Sequence, residues 1–334
     1  MIKIGFIGAG RMGTIHAMNA LENQECRVSG IYDVALEAAR VLGEKVGAPV
    51  VDRVETLLSD VDGVVVTTPT RTHVSYIKMA VERGVPVLVE KPITFSAREI
   101  DEVLSWSPSQ RDLVMPAYMR RFDRDYRQVY DIVRTGALGK ILSIVAISRD
   151  QYPPSPYFVP DSGGLFFDMG IHDYDLILWL TNDEVSVVKT VSCGLWRNEY
   201  MRRLGDPEEG AVMLRMSRGA IALVLLSRSI GLGYDIRMRI VGTKGSVDVR
   251  AHVKNQLVTY SRHGIVRHLE TFPERFGEAY KEELRAFVDA VRKRQRFPVS
   301  VTDVLRAEQL AYATSNAWLA EGSSAGTGEG EIRG

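Results

Sequence analysis

Ile2-Lys-Ile-Gly-Phe-Ile-Gly8-Ala-Gly10-Arg-Met-Gly13 is the stretch whose reading decides the fold of this 334-residue chain. It runs from a short apolar segment through a glycine-rich turn into the opening of an amphipathic helix. Gly8 permits the tight turn, Gly10 lets the backbone approach a pyrophosphate, and Gly13 lets the helix pack close to the strand. Unpaired N–H groups and the positive end of the helix dipole then face the phosphates. Asp33 follows 20 residues after Gly13, at the end of the next apolar run. An acid there accepts the ribose hydroxyls of NAD and repels the 2′-phosphate of NADP, and no Arg directly follows it. Strand, glycine spacing and acid together form the dinucleotide-binding fingerprint. NAD is therefore the expected cofactor.

Outward from this segment the first third alternates strands and amphipathic helices. Strands are expected at 3–7, 28–32, 63–67, 85–89 and 113–117, with helices at 12–22, 36–46, 54–58, 73–83 and 97–106. Ser96 with Glu99 forms a capping box for the last of these. Segments such as Gly63-Val-Val-Val-Thr67 are apolar on both faces, as a buried parallel sheet requires. Near residue 118 the rhythm changes. A helix at 123–134 stops at Gly136, a strand follows at 141–149, and a proline-rich loop leads to one helix at 165–180. Strands are then expected at 186–196, 211–216, 221–229, 236–241, 246–250 and 257–261, and helices at 280–294 and 302–319. The fold class is an α/β N-terminal Rossmann domain, a doubly wound parallel sheet, followed by an α+β C-terminal domain with a large, mostly antiparallel open sheet. The expected division is 1–120, 121–320 and a flexible Gly/Ser-rich tail at 321–334.

Composition narrows the function classes. The 42 basic and 42 acidic residues cancel, so no bulk field draws the chain to nucleic acid or a membrane surface. Cys26 and Cys193 are far apart, have no metal-ligand spacing and read as buried small hydrophobes. That usage fits a reducing cytoplasm. The chain starts directly on a strand without a basic-then-apolar leader. No apolar run reaches the ~20 residues of a membrane span. A soluble cytoplasmic protein is expected.

Three loops leave the carboxyl edge of the N-terminal sheet, where ligands of open α/β sheets bind. They are the glycine turn, Thr67-Thr68-Pro69-Thr70-Arg71-Thr72-His73, and Glu90-Lys91-Pro92. Pro92 cannot donate to a ladder, so the strand ends before it and Lys91 is expected to project beside the nicotinamide. The helix after Gly163-Gly164 carries Asp168, His172 and Asp175 at i, i+4 and i+7, on one face. A His with a carboxylate one turn away suits a general base. A helix-capping Asp beside a satisfied core His is the plainer reading of the same spacing. Two metal ligands is a third, but no third ligand cluster accompanies them and none is expected. His16, His252, His263 and His268 look uninformative. Arg120-Arg121 and Tyr234-Asp235 read as ordinary surface or edge residues.

The chain resembles the Gfo/Idh/MocA oxidoreductase family from Ile2 to about Leu319. Glu90-Lys91-Pro92 matches the family signature and Asp168-x-x-x-His172 its catalytic helix motif, preceded by the typical Gly163-Gly164. Tyr118-Met-Arg-Arg-Phe-Asp123 and Gly233-Tyr-Asp-Ile-Arg237 resemble substrate-side segments of the inositol-oxidising members. Gly8, Gly10, Gly13 and Asp33 match the NAD site. The resemblance implies that a polyol hydroxyl lies between Lys91 and His172, contributed by separate domains. His172 then takes the proton, Lys91 polarises the alkoxide and Asp168 supports the base. It further implies that Arg11, Met12, Thr67, Thr68, Pro69, His73 and Glu90 line the cofactor, and that Arg120, Asp150, Asp175 and Tyr234 face the substrate ring. The substrate expected first is myo-inositol. Scyllo-inositol, glucose or another aldose are the alternatives, as are a non-catalytic NAD-binding regulator and an epimerase or glycosidase that retains its NAD. The proline-rich loop Gln151–Tyr157 and Ser148 depart from the inositol enzymes. A homodimer or homotetramer through the C-terminal sheet is also implied.

Overall fold

Alternating strands and helices build a five-stranded parallel sheet in the first part of the computed structural model, which describes residues 1–192, 196–230, 233–261 and 264–324, with backbone alone at 256–261, 264–268 and 320–324. The strands are β1 (Ile2–Ile7), β2 (Cys26–Tyr32), β3 (Gly63–Val66), β4 (Val87–Glu90) and β5 (Val114–Ala117), in the order β2-β1-β3-β4-β5. The connections hold α1 (Arg11–Glu22), α2 (Leu36–Val46), α3 (Val54–Leu58), α4 (His73–Val81), α5 (Ala97–Ser105) and α6 (Pro108–Arg111). Every residue of β3, β4 and β5 is buried, as helix-covered parallel strands must be. At α5 the Glu99 N–H donates to Ser96 Oγ (3.4 Å). The Glu99 carboxylate, however, takes the Thr94 hydroxyl, so only half of the expected capping box forms. The complete box, Ser107 with Gln110, starts α6, which the sequence reading misses.

The second sheet has six strands: β6 (Ile141–Arg149), β7 (Val185–Ser192), β8 (Glu209–Met216), β9 (Ile221–Ser227), β10 (Asp235–Gly242) and β11 (Ser246–Val249). Their order is β11-β10-β6-β9-β8-β7, antiparallel throughout except for the parallel β6–β9 pair. The helices of this region are α7 (Arg124–Arg134), α8 (Leu165–Asp168), α9 (Gly170–Thr181) and α10 (Glu199–Leu204). Strands β12 (Val253–Ser261) and β13 (Gly264–Leu269) form a separate hairpin, where the sequence predicts only a single strand. Two long helices follow, α11 (Phe272–Lys293) and α12 (Val301–Ser324).

Alternation gives the six-stranded sheet two faces. Ile144, Ala146, Val212, Leu214, Ala222, Val224, Ile236 and Met238 are buried on one. Cross-strand register aligns rows on the other. One row is Arg239, Val145, Leu223, Met213 and Lys189; the next is Arg237, Ile147, Leu225, Ala211 and Val191. Both rows are apolar in the middle, and each begins with an arginine on β10.

The chain divides into two compact units, one of Met1–Arg127 with Phe276–Glu308, the other of Gln128–Arg275 with the described residues from Gln309 on. A simple cut near 120 therefore misses the return of most of α11 and the start of α12 to the first unit. Within that unit a Cβ placed on Gly63 would lie 3.1 Å from the Phe287 ring, and Tyr280 meets His16 edge-on at 5.5 Å. An amphipathic helix announces that one face is buried but not which sheet receives it. Of the expected strand at 186–196, β7 covers Val185–Ser192, and 193–195 lie outside the described residues. Cys193 and His263 lie outside the described residues, as does the tail at 325–334, while residues 321–324, expected as flexible tail, continue α12.

Candidate functional site

In the first unit the glycine turn is shaped as its spacing predicts. Gly8 adopts φ +107°, and a Cβ there would stand 2.8 Å from the Thr67 backbone. A Cβ on Gly13 would stand 2.1 Å from the Gly8 carbonyl oxygen, whereas one on Gly10 would meet nothing within 4 Å. Two glycines thus permit close packing and the third keeps a cradle open. Helix α1 begins there with no side-chain cap and no acid in its first turn. Its N-terminal N–H groups are suited to an anion. Met12 is half-buried and Arg11 exposed at this end. Asp33 anchors the turn, with Oδ2 accepting the Ala9 N–H (2.6 Å) and Oδ1 the Ala35 N–H (2.7 Å). Each carboxylate oxygen has a second lone pair for a ribose hydroxyl. These residues fit a dinucleotide.

The other two loops are joined by His73, which is 1% exposed. Its Nδ1 lies 2.8 Å from the Pro92 carbonyl oxygen and its Nε2 2.8 Å from the Thr68 carbonyl oxygen; the protonated ring donates to both and the neutral ring to one. Burial pushes its pKa down, against two carbonyls that favour the protonated ring. With both nitrogens used internally, His73 pins the Thr68 loop to the Lys91 segment and keeps neither for a cofactor. Thr67 Oγ1 donates to the Gly8 carbonyl (3.0 Å), and Thr68 Oγ1 accepts from Thr72 Oγ1 (2.7 Å). Pro69 is exposed at the loop tip.

Glu90 closes β4 and faces inward. Its Oε1 meets His16 Nε2 at 2.9 Å and its Oε2 accepts the Lys91 N–H at 3.1 Å. His16, set aside as uninformative, is wholly buried. Glu283 is buried too, and desolvation, then the charge of Glu90, pushes its pKa well above the usual carboxylate range. Lys91 is half-buried directly after the strand. Beyond it Glu308 accepts the Ile93 N–H (2.6 Å) and the Thr94 N–H (3.2 Å), with the Tyr118 hydroxyl at 3.3 Å. Neither Glu283 nor Glu308 carried any sequence signal, since each is a single acid on a long helix. Arg120 and Arg121 are buried rather than surface residues. The Arg120 guanidinium lies 5.6 Å over the Phe276 ring, a cation–π contact.

In the second unit the expected single helix at 165–180 divides at Met169 into α8 and α9. Met169 stays right-handed (φ −90°, ψ −46°), so the turn is loosened rather than reversed. Asp168 ends α8, while His172 and Asp175 share α9; their side chains range from buried to half-buried. Asp168 Oδ2 accepts from Arg228 Nη1 at 2.7 Å. Asp150 is fixed through its backbone, donating to the Ser227 carbonyl (2.9 Å) and accepting from the Ile230 N–H (3.0 Å). Tyr234 packs edge-on to Phe272 at 5.8 Å. Its neighbour Asp235, expected as a surface or edge residue, is buried in a bidentate pair with Arg237. His252 is half-exposed, 3.3 Å from Glu270. Among the described residues no group of three His, Cys, Asp or Glu stands in metal-binding arrangement, and no helix is long and apolar enough to cross a membrane.

A family model for the GFO/IDH/MocA oxidoreductases, described as an NAD-binding Rossmann fold, matches residues 2–118, and its C-terminal domain model matches 126–248. The myo-inositol 2-dehydrogenase of Thermotoga maritima is 31% identical over 93% of this chain and 95% of its own length. The crystal structure of a myo-inositol dehydrogenase from Corynebacterium glutamicum superimposes with TM-score 0.89 at 30% identity, covering 96% of this chain and 97% of that one. That of scyllo-inositol dehydrogenase from Lactobacillus casei, with bound NAD(H) and scyllo-inositol, gives TM-score 0.87 at 28% identity over 96% and 98%. On both domains, and along nearly its whole length, the chain belongs to the GFO/IDH/MocA family and is an oxidoreductase with an NAD-binding Rossmann domain.

Proposed function

We propose that the protein oxidises a ring secondary alcohol of a cyclic polyol, with myo-inositol as the substrate tested first and the 2-keto-inositol as product. The observation that carries this reading is the open, uncapped Gly10 cradle above Asp33 in a chain that retains Lys91 at the end of β4 and Asp168 and His172 on the second unit's helices. NAD, when bound, supplies the hydride acceptor. Lys91 furnishes the cation that stabilises the developing alkoxide. His172 takes the hydroxyl proton, and Asp168 supports the base. Arg120, Asp150, Asp175 and Tyr234 are the proposed contacts to the remaining hydroxyls. A ring held by many hydrogen bonds discriminates strongly against analogues lacking one. Asp33 supports NAD over NADP, because its carboxylate would repel a 2′-phosphate.

The names of the relatives support an inositol, and they leave myo- and scyllo-inositol as the first two substrates to separate. The outer rows of the six-stranded sheet, apolar between Arg239 or Arg237 and the β7 edge, suit a second copy of the chain meeting them about a two-fold axis. That supports a homodimer, or a homotetramer built from it. A reducing cytoplasm suits Cys26, whose thiol burial pushes up to about 11.

The test is direct. Purified protein is incubated with NAD or NADP and a panel of inositols and aldoses while nicotinamide absorbance is followed. Turnover with an inositol and NAD is expected, and silence across the panel would refute the reading. Replacing His172 by Ala should lower kcat roughly a hundredfold or more; a near-normal rate would remove it as the base.

A further inference from the structure

Arg228 stands just beyond β9, a large cationic side chain with no exposure at all. Its backbone N–H donates to the Glu208 carbonyl at 2.8 Å. Its guanidinium divides between two acids, with Nη1 on Asp168 Oδ2 at 2.7 Å and Nη2 on Asp206 Oδ2 at 2.9 Å. The other oxygen of Asp206 accepts the Leu165 N–H at 2.7 Å. Leu165 opens α8 and Asp168 ends it. One arginine and one aspartate therefore hold both ends of a single helical turn. Gly164 belongs to the same clamp, because a Cβ there would stand 2.9 Å from Asp206 Oδ1.

From this geometry we infer that Arg228 is the positioning residue for Asp168, with Asp206 as its second anchor. The inference rests on the reading that Asp168 and His172 serve the oxidation. A guanidinium buried to this degree needs anionic partners. Its planar fork supplies two donors in fixed directions, which an ammonium cannot reproduce. Asp168 thus has Oδ2 committed to the guanidinium, and its part is to accept hydrogen bonds rather than to carry the proton away. Asp206 limits the effect by drawing on the same cation. Burial raises its pKa, while Arg228 opposes the rise. Tyr200 and Glu208 lie in the same field, since both Glu208 and Arg228 perturb the Tyr200 hydroxyl.

The charge arrangement makes opposite predictions for two substitutions. Arg228→Met removes the cation, so the proton affinity of Asp168 and of an imidazole in its field rises. Asp206→Asn keeps an acceptor for Leu165 but removes an anion, so the same affinities fall. The full-length protein with NAD and its best inositol substrate is assayed across pH. Arg228→Met should cut kcat roughly tenfold or more and move the acid limb of kcat/KM up by about one unit or more, with NAD affinity unchanged. Asp206→Asn should move that limb down. Arg228→Lys, which retains charge but not the fork, should keep the limb near wild type while kcat stays low. A purely structural role would lower thermal stability in all three and leave the limb in place, and that outcome overturns the proposal. If Arg228→Met does not fold, the Asp206→Asn profile alone decides. Asp168→Asn is the control: full activity there would sink the functional reading itself, whereas an inactive Asp168→Asn beside an unchanged Arg228→Met would sink only the inference.

Discussion

Glu308→Gln changes the charge capacity of a buried site and almost nothing of its volume. Glu308 is wholly buried. Desolvation pushes its pKa from the ordinary 4.5 up to about 8, against the Ile93 and Thr94 N–H groups and the Tyr118 hydroxyl, which pull it down. A gap of about 3.5 pH units, at about 1.36 kcal/mol each, is about 5 kcal/mol of linkage. Because the folded pKa is the higher one, the native state holds the proton more tightly than the unfolded chain. The contribution is therefore whole below the unfolded pKa and is lost as pH rises through the folded one. The substituted glutamine does not titrate. Its amide has one acceptor oxygen for two backbone N–H groups and turns a donor toward the other, which costs about 1–3 kcal/mol. The variant should be the less stable protein at about pH 5. The wild type then loses its advantage by roughly 1.4 kcal/mol per unit, and the two curves should cross before about pH 7. Denaturant unfolding of both proteins at several pH values between about 5 and 8 measures this. Glu283, whose pKa is also raised, and His73, whose pKa is lowered, are common to both and cancel in the difference. A stability gap that stays constant over this range would refute the reasoning, since Glu308 would then be ionised throughout.

Gly10→Ala should leave thermal stability near wild type, because its Cβ meets nothing within 4 Å, yet weaken NAD binding roughly tenfold by filling the cradle. Gly13→Ala drives its Cβ against the Gly8 carbonyl oxygen at 2.1 Å and should cost about 1–3 kcal/mol of stability or more; equal behaviour of the two variants in melting and NAD titration would contradict the assignment. Asp33→Ser should raise the KM for NAD roughly tenfold and lower that for NADP, and an unchanged ratio in steady-state assays would remove Asp33 as the discriminating group. Met213→Glu, on an outer row of the six-stranded sheet and 55% exposed, should reduce the assembly to monomers in sedimentation without altering the circular dichroism spectrum. A monomeric wild type would end the proposal for that face.

Local chemistry was enough to read much of this chain from its residues. The glycine spacing, Asp33 and the doubly apolar strands announce a Rossmann sheet, because steric and periodic constraints act within a few residues of one another. The antiparallel character of the second sheet was legible in the same way, through alternation and short glycine turns. Other features depend on residues brought together across long stretches of sequence, and no window of sequence contains them. His16 carried no signal until it met Glu90 across 74 positions, nor did Arg228 until it met Asp168 across 60. Glu308 latches the segment after Lys91 from more than 200 residues away. A buried charge is tolerated only beside its partner, so a charged residue in the sequence does not reveal whether it is solvated or paired inside. The fold class was a property of the sequence alone. Which acids and bases stand buried around the lysine segment and the Asp168 turn was decided by tertiary packing, which sets both their partners and their desolvation.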